Sequence, residues 1–325
     1  MVTVSNLKLV KTSRFERILL GSWEASENDA GAYYLPGLLL KGTAHLFFGA
    51  TDTGKSWIAQ YATQQSILEG KPVLYFDLEN GPNVMAERLK DSLGLSKDEI
   101  DIFLHYYHQH DLSLDAESKG WFASLLSSFA EPGLIVFDSL LGHLSLCDLN
   151  EDSSVDFEKW VHFYLDNARA LGWTIVVLDH SGHAGTHARG SSRKKQGVQV
   201  EFKVEKKEPF DRASQGRLKL TREKDRRALL PEHVEVVLGG SPFELKMKFD
   251  GQEFLTASTY KALHVLYMFG PSGATHKEWK DAAITTTTMS ERTFNRAAKE
   301  LKNKEYITQV EKQYFLTKKG ESKLS

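Results

Sequence analysis

The sequence predicts an α/β core on a mostly parallel sheet, followed by a small C-terminal module of winged helix-turn-helix layout. Three observations predict it. Four short, almost continuously apolar runs alternate with longer stretches of helical character: AHLFFG (44–49), PVLYFDL (72–78), GLIVFD (133–138) and WTIVVLD (173–179). A G-x-x-x-x-G-K-S segment, Gly49 to Ser56, follows the first run and opens a helical stretch. The final segment reads as three helices and then a hairpin around Glu311-Lys312-Gln313. Continuous apolar runs of this length fit strands buried on both faces, and their alternation with helices is the pattern of a parallel sheet.

Taken in order, residues 1–33 are mixed and polar and read as an N-terminal extension. Residues 34–240 form the core, with helical stretches at Lys55–Leu68, Asn83–Leu93 and Asp156–Leu171 between the apolar runs. From about residue 198 the texture becomes β-like, at 198–207, 216–224 and 233–239, and Gly239-Gly240-Ser241-Pro242 is a turn cluster. Residues 241–254 read as a linker or a segment that closes the sheet. In the module at 255–325, Thr259–Phe269 is helical and stops at Gly270-Pro271. Thr275 and Glu278 have capping-box spacing and start a second helix. Ser290 caps a third, whose Phe294, Ala297, Ala298 and Leu301 share one face. A packing or dimerisation module has the same signature as a DNA reader.

Composition narrows the classes. The chain has 325 residues, of which 41% are hydrophobic, enough to bury a core and to exclude general disorder. Cys147 is the single cysteine, which excludes an internal disulfide and a cysteine-based zinc site and points to a reduced, cytoplasmic setting. No run of 18 apolar residues and no secretory leader pattern stands out, so neither membrane spanning nor secretion is expected. The net charge of −2 hides a gradient: residues 186–230 hold 14 Lys/Arg against 6 Asp/Glu, residues 254–325 hold 12 against 7, and the remainder carries −15. An acidic body with two basic regions brings nucleic acid into question as a partner.

The segment Gly49, Ala50, Thr51, Asp52, Thr53, Gly54, Lys55, Ser56 has the form of a phosphate-binding P-loop. Its backbone N–H groups and the helix N-terminus would cradle phosphates, Lys55 would neutralise the terminal ones, and the Ser56 hydroxyl would bind Mg²⁺. Trp57, next in sequence, is grouped with the nucleotide contacts. Asp138, closing GLIVFD, is placed to complete the Mg²⁺ shell. Glu79, just past the 72–78 run, is the candidate to orient or deprotonate the attacking water, with Asp77 as understudy. A glutamate after the second strand, and a serine rather than an acid after Asp138, favour the RecA-type of P-loop ATPase. ATP and Mg²⁺ are the expected cofactors.

The run YYLPGLLLKGTAHLFFGATDTGKS, with YFDLENGPNVMAERLKDSLG, FDSLLGHL, the Glu151-Asp152-Ser153 stretch, IVVLDHSGHAG, RGSSRKKQGVQVEFKV and LKLTREKDRRA, resembles the RepA-like hexameric helicase ATPases. These are a branch of the RecA/DnaB superfamily, and the likeness, closest to the version in actinobacteria and their phages, covers about residues 34–230. It implies that Arg88 packs against the nucleotide base, that His180 senses the γ-phosphate, and that Lys224 and Arg226 reach into a neighbouring subunit's site. The sequence departs from the family at His183, where many members carry lysine. A zinc site at His180, His183 and His187 is not expected, since no cysteine lies near and the family needs no metal there. The basic Arg189, Arg193, Lys194 and Lys195 fall where ring helicases present loops to single-stranded DNA, although a solvated charge run explains them almost as well. In the C-terminal module Arg292, Asn295, Arg296, Lys299 and Lys302 lie on the polar side of the third helix and Lys312 on the wing, where duplex DNA would be met. The resemblance implies an ATP-driven ring helicase, a homo-hexamer acting in replication of a phage, plasmid or similar element. The alternatives are an ATP-switched replication initiator or regulator, and a recombination or repair ATPase that coats strands.

Overall fold

The structure is a computed structural model that describes residues 32–108, 113–181, 197–249, 255, 257–287 and 289–324. From Tyr33 onward these residues belong to one compact unit. A short hairpin, β1 (Tyr33–Leu35) and β2 (Leu39–Leu40), leads into β3 (Ala44–Gly49) and the helix Lys55–Leu68. Then come β4 (Val73–Asp77), the helix Pro82–Glu87, the helix Lys97–Phe103, β5 (Leu104–His108) and the helix Ala116–Ser127. The strands β6 (Leu134–Asp138) and β7 (Thr174–His180) follow, separated by the helices Leu140–Leu146 and Ser154–Trp160, the latter continuing through a π-helical stretch to Ala170. Four more strands complete the sheet: β8 (Val200–Glu208), parallel to β3, then β9 (Gln215–Asp225), β10 (His233–Gly239) and β11 (Glu244–Phe249), each antiparallel to the one before.

The nine strands lie in the order β11-β10-β9-β8-β3-β7-β6-β4-β5, and the six from β8 to β5 are parallel. This is the RecA-like α/β core the sequence predicts. The central strands are apolar throughout because both faces are covered: Leu134 and Val136 of β6 pack with the Lys55–Leu68 helix, while Ile135 and Phe137 pack on the other face with Phe122, Trp160 and Tyr164. Phe137 sits 5.3 Å from the Phe76 ring and 5.2 Å from that of Trp160. Phe137→Ala is expected to cost about 3–5 kcal/mol, read from denaturant unfolding, because the cavity would lie at the centre of this layer.

Some elements differ from the sequence expectation. The helix expected over Asn83–Leu93 starts at Pro82 and turns π-helical from Arg88 to Ser92. The Lys97–Phe103 helix, fixed by a Ser96/Glu99 capping box, the edge strand β5 and the Ala116–Ser127 helix were not expected. Within 241–254, β11 pairs with β10 at the sheet edge. Among the described residues no helix is long and apolar enough to cross a membrane.

The C-terminal module runs helix Ala257–Met268, β12 (Ala274–Thr275), helix His276–Thr287, helix Glu291–Asn303, β13 (Ile307–Val310) and β14 (Gln313–Leu316), then a short helix Lys318–Glu321. Its own core is built on Leu263, Leu266, Trp279, Phe294, Leu301 and Tyr306. Thr275 with Glu278, and Ser290 with Thr293, make the expected caps. The module seats on the far end of the Lys55–Leu68 helix. Thr293 Oγ1 donates to the Leu68 carbonyl at 3.1 Å, and Lys261 pairs with Glu69 at 2.7 Å. Both Arg292 and Arg296 donate to the Gly94 carbonyl, at 3.0 and 3.1 Å, and Arg292 also meets Glu99 at 3.1 Å.

Candidate nucleotide site

The phosphate loop joins β3 to its helix under tight steric limits. A Cβ on Gly49 would fall 2.3 Å from the Val204 carbonyl of β8. Gly54 has φ +88, a backbone conformation that favours glycine, with the Leu218 side chain close beside it. Lys55 is buried and folds back along the loop, donating to the Gly49 and Ala50 carbonyls at 3.0 and 2.8 Å. Burial lowers its pKa, opposed by the negative charges of Glu79, Asp138, Asp179 and Asp52. A cation held under exposed loop N–H groups at a helix N-terminus is suited to a polyphosphate. Thr53 braces the loop through the Ala50 carbonyl, and Asp52 pairs with Lys206 of β8.

Three carboxylates gather at the ends of β4 and β6, which run side by side with Asp77 beside Asp138. Asp138 is almost wholly buried. Its Oδ2 accepts from the Tyr75 hydroxyl at 3.1 Å and from Asn80 Nδ2 at 3.0 Å. Burial raises its pKa well above the usual carboxylate range; Asp77 and Glu79 push the same way, against hydrogen bonds from Ser56 and Tyr75. The Ser56–Asp138 contact joins the two residues that would hold Mg²⁺, an arrangement that leaves most of the shell to water and phosphate oxygens. Among the described residues no group of three or more His, Cys, Asp or Glu could hold a metal by itself. When bound, Mg²⁺ would neutralise phosphate charge. Because the proton on Asp138 competes with the metal, Mg²⁺ affinity is expected to fall on acidification, starting above the ordinary carboxylate range. Calorimetry in buffers of different ionisation enthalpy reads the proton released.

Asp77 is fully buried and its oxygens are committed: Oδ1 accepts from the Glu79 and Asn80 N–H groups at 2.9 and 2.8 Å, and Oδ2 from the Tyr106 hydroxyl at 2.9 Å. It therefore holds the turn that carries Glu79 and has no exposed face for a water, which removes it as understudy for the base. Glu79 is 41% exposed, with His180 Nε2 3.7 Å from its carboxylate. The His180 imidazole is the main cause that lowers the Glu79 pKa; burial opposes, while Lys55 and Ser139 assist. Glu79 thus stays ionised at neutral pH, able to accept a proton or orient water. Behind the loop, the Trp57 ring is stacked between Phe243, at 4.5 Å and 21°, and the Arg88 guanidinium, at 4.7 Å. Arg88 also donates to Gln60 Oε1 at 3.4 Å.

A family model described as AAA domain matches residues 10–186, more than half of the chain. The chain belongs to this AAA-domain family. It is therefore an ATPase of the P-loop class. No curated protein matches it. The AAA-domain match contains the loop, Glu79, Arg88, Asp138 and His180, and ends before Lys224, Arg226 and the C-terminal module.

Within the AAA-domain protein, Lys224 and Arg226 lie away from the chain's own phosphate loop. β8 runs parallel to β3 with Val200 beside His45, and β9 returns antiparallel with Asp225 opposite Val200. The pair therefore sits level with the start of β3, on the order of 15 Å from its loop end at about 3.3 Å per residue. Asp225 shapes this corner by accepting from the N–H groups of Arg227, Leu229 and Leu230 at 2.9, 2.7 and 2.8 Å. Lys224 Nζ donates to the Val198 carbonyl at 2.6 Å, and Arg226 is exposed.

The other expected contacts divide. Arg189, Arg193, Lys194 and Lys195, with His183 and His187, lie outside the described residues. On the Glu291–Asn303 helix, Asn295, Lys299 and Lys302 are exposed, whereas Arg292 and Arg296 are engaged with Gly94 and Glu99. Lys312 is exposed at the β13–β14 turn. Sequence reasoning missed Tyr75, Asn80, Tyr106, Ser139 and Phe243. For Asn80 and Ser139 a signal existed, their places directly after Glu79 and Asp138; the rest depend on strand register and on the β10–β11 turn.

Proposed function

We propose that the chain is an ATP-hydrolysing DNA motor of the RepA-like ring helicase type, a homo-hexamer with ATP held between subunits. Lys55, Ser56 and Asp138 hold MgATP, Glu79 activates water, His180 relays the state of the γ-phosphate, and Lys224 and Arg226 complete the site of the next protomer. The observation that carries this reading is the position of Lys224 and Arg226 at the opposite end of the sheet from their own phosphate loop. Two cations at that corner, which Asp225 shapes through the Arg227, Leu229 and Leu230 N–H groups, suit a neighbour's nucleotide. The basic segment around Arg189 to Lys195 supplies the contact to single-stranded DNA, through phosphates and therefore salt-sensitive. The test is ATPase activity with no DNA, single-stranded DNA and duplex DNA, together with strand displacement on a fork. Stimulation by single strands and ATP-driven displacement support the motor; hydrolysis that never opens a fork overturns it.

A second reading, an ATP-switched initiator or regulator, draws support from the seat of the C-terminal module on the helix that begins at the phosphate loop. It expects one defined duplex footprint and slow turnover. A winged helix with Asn295, Lys299, Lys302 and Lys312 toward DNA serves either reading.

A further inference from the structure

We propose that Glu87 and Arg212 read the base of the bound nucleotide and select adenine over guanine. This rests on the reading of Gly49–Ser56 as a nucleotide site.

A cavity of about 270 Å³ is lined by Trp57, Val84, Glu87, Arg88, Ser92 and Arg212. It opens one residue beyond Ser56, so a nucleotide held by the loop has its base within reach of this cavity. The stacked Trp57 and Arg88 supply a flat, cationic wall for an aromatic ring. The opposite wall comes from the turn between β8 and β9. Asp211 stiffens that turn by accepting from the Ala213 and Ser214 N–H groups, both at 2.7 Å, and the Lys206–Asp52 pair fastens β8 to the phosphate loop. The turn presents Arg212, which is ion-paired with Glu87 across the cavity. Their side chains are 78% and 41% exposed, so the pair is a weak surface contact that a bound base can displace.

The chemistry of the pair fixes the preference. A guanidinium only donates, and a carboxylate only accepts. Adenine shows on one edge an acceptor, N7, beside a donor, the N6 amine; guanine shows two acceptors there, N7 and O6. Arg212 against N7 and Glu87 against the N6 amine satisfies both groups for adenine. Guanine would set O6 against the Glu87 carboxylate, a repulsion with no compensating bond. No other described residue lining this cavity offers a carboxylate.

The test titrates the full chain with ATP, GTP and 7-deaza-ATP, each with Mg²⁺, and reads affinity by calorimetry. Wild-type protein is expected to prefer ATP over GTP by about tenfold to a hundredfold, the range for one charged hydrogen bond, and to bind 7-deaza-ATP more weakly than ATP. Glu87→Gln, whose amide can donate to O6, should bring the ATP-to-GTP ratio close to one. Arg212→Ala should weaken ATP and erase the difference between ATP and 7-deaza-ATP. An unchanged ATP-to-GTP ratio in Glu87→Gln, or a 7-deaza penalty that survives Arg212→Ala, overturns the proposal. Wild-type protein that binds no nucleotide overturns the underlying site instead. Arg212 is exposed and Glu87 half-buried, and thermal denaturation checks that the variants fold.

Discussion

Replacing Arg226 by alanine is expected to lower kcat for ATP hydrolysis by roughly 10³- to 10⁵-fold, the range for an arginine finger, with little change in ATP affinity. The loss follows from where the side chain stands. It is exposed at a corner held by Asp225, level with the start of β3, and does not reach the chain's own phosphates. A group that meets the nucleotide only across a subunit boundary contributes to the transition state and not to loading of its own loop. Mixing Arg226→Ala with Lys55→Ala subunits supplies the decisive arm. Mixed assemblies contain interfaces in which an intact loop faces an intact Arg226, and steady-state assays should recover activity absent from either variant alone. If co-assembled subunits stay inactive, the shared site fails. Loss of ATP affinity in Arg226→Ala by itself points to a role within its own subunit.

Glu79→Gln should retain MgATP and lose about 10²- to 10⁴-fold in kcat, the usual contribution of a positioned acid or base. Filter binding separates the two effects. The pH profile carries a sign. The Glu79 pKa is held down chiefly by His180, so the carboxylate is ionised through neutrality and its acid limb lies below the ordinary carboxylate range. His180→Ala removes that support, and the limb should move toward higher pH. A limb that stays in place would detach His180 from the base. Asp77→Asn would loosen the turn beneath Glu79 without touching water, since both Asp77 oxygens are spent on the Glu79 and Asn80 N–H groups and on Tyr106.

The core strands were legible because β3, β4, β6 and β7 are buried on both faces, which leaves no alternation to confuse with a helix. The edge strand β5 was not: LHYYH is half-exposed along its whole length and carries neither pattern. The π-helical turn at Arg88–Ser92 left the apolar spacing of 83–93 nearly intact, so composition could not mark it. In the site, the loop residues, Asp138 and Glu79 were legible because local spacing ties each to a strand end. The role of Asp77 was not, since Tyr106 reaches it only through the β4–β5 register. Nor could the third helix of the module reveal that its polar side is shared, with Arg292 and Arg296 turned to the body and Asn295, Lys299 and Lys302 to solvent.

That division makes the ATPase body a competitor tethered to its own module. A phosphate that takes Arg292 and Arg296 must take them from the Gly94 carbonyl, and covalent connection keeps that carbonyl at an effective concentration on the order of millimolar. Nucleic acid that took both guanidinium groups would weaken the seat of the module, which Thr293 and Lys261 also hold. Coupling of this kind would be reciprocal: whatever loosens the grip on Leu68, Glu69 and Gly94 would favour phosphate at these arginines, and phosphate bound there would loosen that grip in return.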